Sequence, residues 1–393
     1  METLAVKKSK GRIDVKQYGM VLALIAIYLL FFFLTGGTNA SPTNINNLIM
    51  QNGYIIILSV GMLLCVLTGN IDLGVGSVVA VCGASAAIAV VDFHLPVFVG
   101  FLFALGIGGL FGVFTGFFVS VLSIPPFIVT LATMLIGRGF TYTILQAQTK
   151  GPLPPSYTKI GAGFLPSAKV SIFGNQLDLL CLIIALTASV LIILSTVHSN
   201  NTKRKYGFPI IPEWQELIKI GLILFLVWFL LIKLALYKGI PYVLLLMGVL
   251  VAFYHFLTEK TVAGRQIYAL GGNAKAARLS GINTRKVYFW VYANMGLLCG
   301  VAGIVLSARN ASATPKAGDG FEMDAISACY IGGAAIAGGS GTIIGAVVGA
   351  LIMGILNNGM SLVGLSTDIQ KIVKGMVLLG AVTVDLVSKQ KKA

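Results

Sequence analysis

The sequence contains few charged residues, and this scarcity excludes an ordinary soluble domain. Asp, Glu, Lys and Arg together make up 10% of the 393 residues, whereas hydrophobic residues make up 57%. The mean hydropathy is +0.92. Soluble domains average about 25% charged residues and roughly 45–50% apolar residues. The composition therefore indicates an integral membrane protein.

The residues that usually build metal sites and catalytic centres are also scarce. The chain has three histidines and five cysteines, and the cysteines stand singly in apolar stretches without a C-x-x-C pair. This pattern favours small buried side chains over metal or redox roles. A membrane-embedded enzyme would need a clustered nucleophile or acid–base set. We therefore predict no enzymatic activity, no catalytic residues, no metal and no cofactor.

An energy source is missing as well. No phosphate-binding G-x-x-x-x-G-K-[ST] motif occurs, and the glycine-rich run at 338–342 lacks the lysine that such a motif uses. The few carboxylates near apolar runs do not form the Asp/Glu/His relay expected of a proton-driven pump. If this chain transports a solute uphill, the energy comes from another subunit.

Long apolar segments fill most of the chain. A spanning helix needs roughly 20 apolar residues, because about 1.5 Å per residue must cross about 30 Å of hydrocarbon. We predict an all-α polytopic transmembrane bundle of about 12 spans (10–12), the tenth being short enough to be broken or re-entrant. The candidate segments are 18–34, 50–68, 74–91, 96–122, 126–145, 177–198, 217–236, 241–257, 287–307, 323–337, 341–356 and 369–387.

The 28 Lys and Arg outnumber the 13 Asp and Glu, and the basic residues lie in short loops beside apolar runs. The positive-inside rule places such loops in the cytoplasm, and the pattern does not favour a nucleic-acid-binding surface. We predict one transmembrane permease domain over residues 1–393. Its cytoplasmic parts would be the tails 1–17 and 388–393 and the loops 199–216 and 258–286.

A weak internal repeat relates two parts of the sequence. In each part an aspartate is followed by three glycines at four-residue spacing: Asp72 by Gly108, Gly112 and Gly116, and Asp324 by Gly341, Gly345 and Gly349. In the predicted topology the two aspartates enter the membrane from opposite sides, as in the inverted repeats of many transporters. The glycines favour close helix packing over the lining of a solute path.

Several polar residues lie near or inside the apolar segments. Charges there cost roughly 2.5–3.5 kcal/mol and tend to face partners or cavities. Asp72 and Asp324 each begin a predicted helix, so capping of free N–H groups is one role and gating or solute contact is the other. For Arg138 a role in the path is one interpretation, and pairing with a carboxylate at a span end is the structural alternative. The candidate residues of the translocation path or gate are Asp72, Thr130, Arg138, Asp324, Asn357 and Asn358.

A polar stretch at 264–286 lies between two segments that are almost uncharged, and it carries five basic residues. Gly271, Gly272 and Asn273 predict a turn in which Asn273 caps the following helix. The Ala-rich run from Ala274 to Leu279 predicts one short helix, ended by Gly281. This stretch is either an ordinary polar connector or a helix that inserts into a cleft of a partner.

The runs GRQIYALGGNAKAARLSGINTRKV, GNIDLGVGS, PPFIVTLATMLIGRG and FEMDAISACYIGGAAIAGGSGTIIGAVVGALIMGILNNGM occur in this order within residues 45–387. In these motifs the chain resembles the permease subunits of ABC importers for ribose, galactose and xylose. An extra pair of spans around residues 200–257 is most similar to the xylose type. Thr115 and the Ala334–Ala335 pair depart from the family's usual residues, so the motifs do not identify the sugar.

This resemblance implies a permease of the bacterial cytoplasmic (inner) membrane that carries a xylose-like pentose or hexose. The implied partners are a second permease copy in a homodimer, surrounding membrane lipid, an ABC ATPase subunit with two nucleotide-binding halves and an extracytoplasmic sugar-binding protein. The implied alternative is an ABC permease for nucleosides or branched-chain amino acids. By resemblance, the cytoplasmic coupling helix that contacts the ATPase contains Asn273, Ala276, Ala277, Arg278, Gly281 and Ile282.

Overall fold

The computed structural model describes residues 15–172, 174–206 and 212–390. The predictions for the two tails and the 199–216 loop fall partly on residues 1–14, 207–211 and 391–393. These residues lie outside the described part of the chain.

Helices make up most of the described chain, which confirms the predicted all-α polytopic class. The helices are α1 (Val15–Leu34), α2 (Pro42–Leu67), α3 (Val75–Val91), α4 (Val97–Ser120), α5 (Pro126–Ile144), α6 (Pro155–Ala162), α7 (Leu179–Lys205), α8 (Glu213–Ala235), α9 (Tyr242–Lys260), α10 (Val262–Gly272), α11 (Ala274–Leu279), α12 (Thr284–Asn310), α13 (Phe321–Ile331), α14 (Ile343–Leu362) and α15 (Thr367–Gln390). One antiparallel hairpin, β1 (Lys169–Ile172) with β2 (Asn175–Asp178), interrupts them.

Each of the predicted apolar segments coincides with a helix, but not every helix is long enough to cross a membrane. Eight helices of the described chain have the required length and composition. Helix α13 has 11 residues and rises only about 16 Å, roughly half of the hydrocarbon thickness. It is therefore too short to span the bilayer by itself, as the sequence predicts for the tenth segment. The number of spans stays a prediction.

The described chain forms two compact units. The smaller takes in residues 164–240, with 40–46 and the start of α1, and contains the hairpin, α7 and α8. The larger contains the rest of the described chain. The extra spans predicted around 200–257 therefore do not form one unit, because α9 belongs to the larger unit and α7 and α8 belong to the smaller.

Within the smaller unit, polar contacts hold the helical pair α7 and α8 and the turn that follows it. Trp228 donates its indole N–H to Ser189 Oγ at 3.0 Å, which joins the two helices. Asp178 caps α7 by accepting from the Cys181 N–H at 3.1 Å. Gly239 has a φ of +88° and lies so close to Asp178 that a Cβ would come 2.5 Å from its Oδ2. A side chain at Gly239 is therefore excluded.

Within the larger unit, α12 packs along α4 through glycines, as the four-residue spacing predicts. A Cβ at Gly108 would lie 2.3 Å from the Gly296 carbonyl oxygen, and a Cβ at Gly296 would lie 2.2 Å from the Gly108 oxygen. The two backbones touch there. Gly112 and Gly116 meet backbone atoms of α12 in the same way, so this triplet serves close packing.

The second glycine triplet has a different neighbour. Gly345 and Gly349 on α14 approach the last turn of α13, where a Cβ at Gly349 would lie 1.9 Å from the Ala328 oxygen. The order of a long helix, a break and a shorter helix occurs twice, in α2–α3 and in α12–α13. The two halves therefore share an order of elements but use their glycines on different helices, and the inverted repeat stays a hypothesis.

Candidate functional site

The polar stretch after α9 folds into two helices, α10 and α11. Asn273 Oδ1 accepts from the Ala276 N–H at 3.0 Å, which confirms the predicted cap of α11. Helix α11 ends before Gly281, whose φ is +85°. The Ile282 N–H returns to the Ala277 carbonyl at 3.1 Å, a closure that the left-handed glycine permits. The predicted helix and its end are both confirmed.

The exposure of α11 divides the residues that the resemblance assigns to coupling. Asn273, Ala276, Arg278 and Gly281 are exposed and Ile282 is half-buried, whereas Ala277 is buried at 4% exposure. Ala277 faces this chain and not a partner. The most prominent apolar side chain is one that sequence reasoning missed: Leu279, which is 89% exposed. Its signal was a leucine that stands between Arg278 and Ser280 at the end of the predicted short helix.

The predicted turn at Gly271 and Gly272 is wrong, because both glycines are the last residues of α10. A Cβ at Gly271 would lie 1.6 Å from the Leu67 carbonyl oxygen at the end of α2 and 2.6 Å from the Gly339 nitrogen. Gly339 in turn donates its N–H to Leu67 O at 2.8 Å. The end of α10, the end of α2 and the segment before α14 therefore meet backbone to backbone. We call this the glycine junction.

A side-chain bond supports the glycine junction. Tyr268 on α10 donates its hydroxyl to the Gly341 carbonyl at 2.7 Å. Gly338, Gly339 and Gly341 all have a φ between +72° and +150°, which residues with side chains rarely adopt. This connection between α13 and α14 is therefore fixed by glycine conformations and by its contact with α10.

A second polar cluster surrounds Asp324 in the first turn of α13. Lys374 on α15 places its Nζ 2.9 Å from Asp324 Oδ1, and the Asp324 side chain is 1% exposed. Tyr54 on α2 and Asn357 on α14 each donate to Asp324 Oδ2 at 3.3 Å. Phe321 stacks on the Tyr54 ring at 3.6 Å between centroids. We call these side chains the Asp324 cluster.

The two aspartates that the sequence analysis treats alike have different roles. Asp72 Oδ1 accepts from the Gly74 N–H at 2.8 Å, so it caps the start of α3 as predicted. Asp324 makes an ion pair instead, and its predicted capping role is wrong. Lys374 was missed, although a lysine inside an apolar segment is a visible signal. Tyr54 carries no signal in the sequence.

Arg138 contacts backbone carbonyls, and not the span-end carboxylate of its structural alternative. Its Nη1 donates to Pro315 O at 2.9 Å and to Ala317 O at 2.7 Å. This clamps the connection between α12 and α13 to α5. At the end of that connection the Lys371 ammonium bonds Asp319 at 2.9 Å and lowers the pKa of its carboxyl. The pair is exposed, so it stabilises little.

The remaining path candidates are buried but are not all brought together. Asn357 belongs to the Asp324 cluster, and Asn358 is buried beside it on α14. Thr130 is fully buried on α5 and donates to the Phe127 carbonyl at 3.3 Å. Its own carbonyl lies close to Gly74, beside the turn that Asp72 caps. Two separate groups result, one near Asp72 and one around Asp324.

The chain is similar to known proteins over almost its whole length. Residues 44–382 match the family described as branched-chain amino acid transport system / permease component. The xylose transport system permease protein of Haemophilus influenzae is 36% identical over 379 residues, 96% of this chain and 98% of the relative. The protein of the same description from Escherichia coli K12 is 37% identical over 398 residues, 99% of this chain and 97% of the relative.

A third relative matches a smaller share of the chain. The ribose import permease protein of Escherichia coli K12 is 35% identical over 342 residues, 87% of this chain and 85% of the relative. A comparison with solved structures gave no significant match. These relatives are transport permeases and not enzymes. The chain therefore belongs to the permease family described as branched-chain amino acid transport system / permease component, as an ABC-type permease that crosses a bacterial inner membrane several times.

Proposed function

We propose that this permease carries a xylose-like pentose or hexose into the cytoplasm, with ATP hydrolysis in a separate subunit as the energy source. The observation that carries the proposal is the similarity, over 96–99% of the chain, to two proteins named as xylose permeases. A sugar is uncharged and rich in hydroxyls, so its path requires weak polar contacts more than fixed charges.

The alternative substrates are nucleosides or branched-chain amino acids, the latter named in the family description. An amino acid zwitterion would favour unpaired charges along the path. Among the described path candidates, Asp324 pairs with Lys374, and Arg138 is engaged by backbone carbonyls. Asp72 accepts from the Gly74 N–H, so each of these charges already has a partner within the chain. These contacts favour the sugar over the zwitterion.

The substrate is tested by uptake in cells that express this chain with its cognate ATPase and binding protein. We expect accumulation of labelled xylose that unlabelled xylose suppresses and that leucine or uridine at the same concentration leaves unchanged. Ribose, galactose and glucose as further competitors define the range. Accumulation of labelled leucine or uridine, without accumulation of any of the four sugars, would sink the sugar assignment.

An ABC permease works with an ATPase and a substrate-delivering protein, and the finer assembly is part of the proposal. We place the 258–286 segment on the cytoplasmic side, where α11 contacts an ATPase with two nucleotide-binding halves. The sugar-binding protein docks on the opposite side, and a second permease copy completes a homodimer in the lipid bilayer. The basic end of α7, with Lys203, Arg204 and Lys205, supports the cytoplasmic placement of the 199–216 loop.

The coupling route is proposed to run from α11 through the glycine junction to the Asp324 cluster. Two helices connect these sites. On α2, Leu67 belongs to the junction and Tyr54 to the cluster, about 20 Å apart along the helix. On α14, Asn357 belongs to the cluster, and Gly341 just before the helix bonds α10. A displacement of α10 therefore moves both helices.

The residues proposed for the path or gate keep distinct roles in this route. Asp324 and Asn357 hold α13 against α14 and α15, and Arg138 holds the connection that enters α13. Asp72 and Thr130 fix the start of α3 against α5. Asn358 lies buried on α14. We propose that transport rearranges these contacts as the helices move.

The glycine junction is tested by Gly271→Ala with Gly272→Ala as its control. The added methyl group at position 271 meets the Leu67 carbonyl, whereas position 272 has open space. Overpacking costs about 1–3 kcal/mol and forces the backbones apart. We expect Gly271→Ala to abolish sugar uptake and transport-coupled ATP hydrolysis in proteoliposomes, and Gly272→Ala to behave like the unaltered protein. Equal transport by both variants would contradict the route.

The ATPase contact is tested by Leu279→Ala with Phe93→Ala as its control. Leu279 is 89% exposed on α11, and Phe93 is 68% exposed beyond the end of α3. Neither truncation removes a buried side chain, so both proteins should be produced normally. We expect Leu279→Ala to lose at least about tenfold in capture of the ATPase, as truncation of a central apolar interface residue does. Retained capture would refute this role of α11.

The Asp324 cluster is tested by Lys374→Gln with Lys371→Gln as its control on the same helix. Removal of Lys374 leaves the buried Asp324 carboxylate without its cation, which costs about 3 kcal/mol. Lys371 pairs with Asp319 at the surface. We expect a lower unfolding temperature in detergent for Lys374→Gln alone, with partial recovery in the Asp324→Asn, Lys374→Gln double variant. Equal unfolding temperatures for the two lysine variants would argue against the cluster.

A further inference from the structure

A cavity of about 530 Å³ lies beside the coupling helices and is assigned no role by the proposed transport cycle. It is bounded by α2, α9, α10 and the first turns of α12, and the connection between α11 and α12 forms part of its wall. Its apolar lining includes Leu64, Leu257, Ile267, Val287 and Trp290. Its volume is in the range of sites that hold a small molecule or part of a lipid.

Three residues of the cavity wall follow one face of α12 at four-residue spacing: Lys286, Trp290 and Asn294. Each step rises about 6 Å. From the helix start inward they present a cation, an aromatic ring and an amide. Tryptophan is enriched where headgroups meet acyl chains, and Trp290 is 59% exposed. The order matches a phospholipid entering from the membrane side.

Asn294 provides a second, independent observation. Its Oδ1 accepts from the Tyr254 hydroxyl, but its buried Nδ2 finds no hydrogen-bond partner among the described residues. A buried donor without a partner costs roughly 1–3 kcal/mol. Because Asn294 lines the cavity, a small rotation of its amide toward an acceptor oxygen of an occupant, such as an ester carbonyl, would remove this cost.

We infer that this cavity binds one anionic phospholipid. The phosphate lies at Lys286, an ester oxygen accepts from Asn294 Nδ2, and the acyl chain packs on Trp290, Leu257 and Ile267. Exposed aromatic side chains on the adjoining helix α9, Phe253 and Phe256, continue the apolar surface toward the bilayer. Because Gly281 and Asn283 also line the cavity, the bound lipid contacts the connection that follows the coupling helix.

The test uses the position of Trp290. The chain has three tryptophans, and the other two, Trp214 and Trp228, lie on α8. The full-length chain with Trp214→Phe and Trp228→Phe reports on Trp290 alone. It is reconstituted in phosphatidylcholine vesicles that contain brominated phosphatidylglycerol or brominated phosphatidylcholine at equal mole fraction. We expect stronger fluorescence quenching by the brominated phosphatidylglycerol.

Matched variants distinguish a specific lipid site from a general attraction of the basic protein to an anionic membrane surface. Lys286→Gln removes the charge at the cavity, and Arg285→Gln removes a neighbouring exposed charge that does not line it. We expect Lys286→Gln to reduce the preference about fivefold, which corresponds to about 1 kcal/mol per basic residue, and Arg285→Gln to leave it unchanged. Ala263→Phe, which fills the cavity from α10, should also remove the preference.

Three results would overturn the inference. They are equal quenching by the two brominated lipids, equal effects of Lys286→Gln and Arg285→Gln, and loss of the preference on addition of inorganic phosphate. The last would indicate a site for a soluble anion. If the tryptophan variant does not fold, native mass spectrometry of the otherwise unaltered chain measures retained phosphatidylglycerol. Lys286→Gln is then expected to lose the bound lipid and Arg285→Gln to keep it.

Discussion

The structure depends on one backbone contact, in which the end of α10 touches the end of α2 at Gly271 and Leu67. Side chains deform and absorb small displacements, whereas two backbones in contact do not. The same site includes Gly339, whose N–H bonds the Leu67 carbonyl. Helix α10, which is not one of the candidate spans, is thereby joined directly to two other elements of the larger unit. Glycine at these positions is a steric requirement of that joint.

The contact matters because of what lies at the far ends of the helices it joins. Helices α2 and α14 reach from the glycine junction to Asp324, where Tyr54 and Asn357 donate to the same carboxylate oxygen. Burial of that carboxylate is costly unless its cation and donors remain in place. A shift of either helix therefore weakens contacts that all converge on one charge. The arrangement favours a few discrete states over gradual deformation.

The sequence predicts well the features that depend on neighbouring residues. The apolar segments coincide with helices because length and hydropathy are local, and α11 follows from Asn273 and Gly281, which lie within a few residues of it. The errors involve distant partners. The sequence predicts a turn at Gly271. The carbonyl of Leu67, which leaves no room for a side chain at position 271, belongs to a residue far away in the chain. Capping was predicted for Asp324 because its partners Lys374 and Tyr54 are likewise distant in the sequence.

Helix α11 likewise depends on contacts with other parts of the chain, because it is short and exposes few apolar side chains. A helix of six residues has too little surface to be stable alone, so Ala277 is buried against the chain and the glycine junction anchors α10 behind it. This leaves Leu279 as the main apolar side chain that α11 exposes. A force applied there cannot dissipate by bending a long connector, because the adjoining glycine contacts allow little compression. The stiffness that the proposed coupling requires would therefore be supplied by glycines, the residues most often associated with flexibility, through the close packing that only they permit.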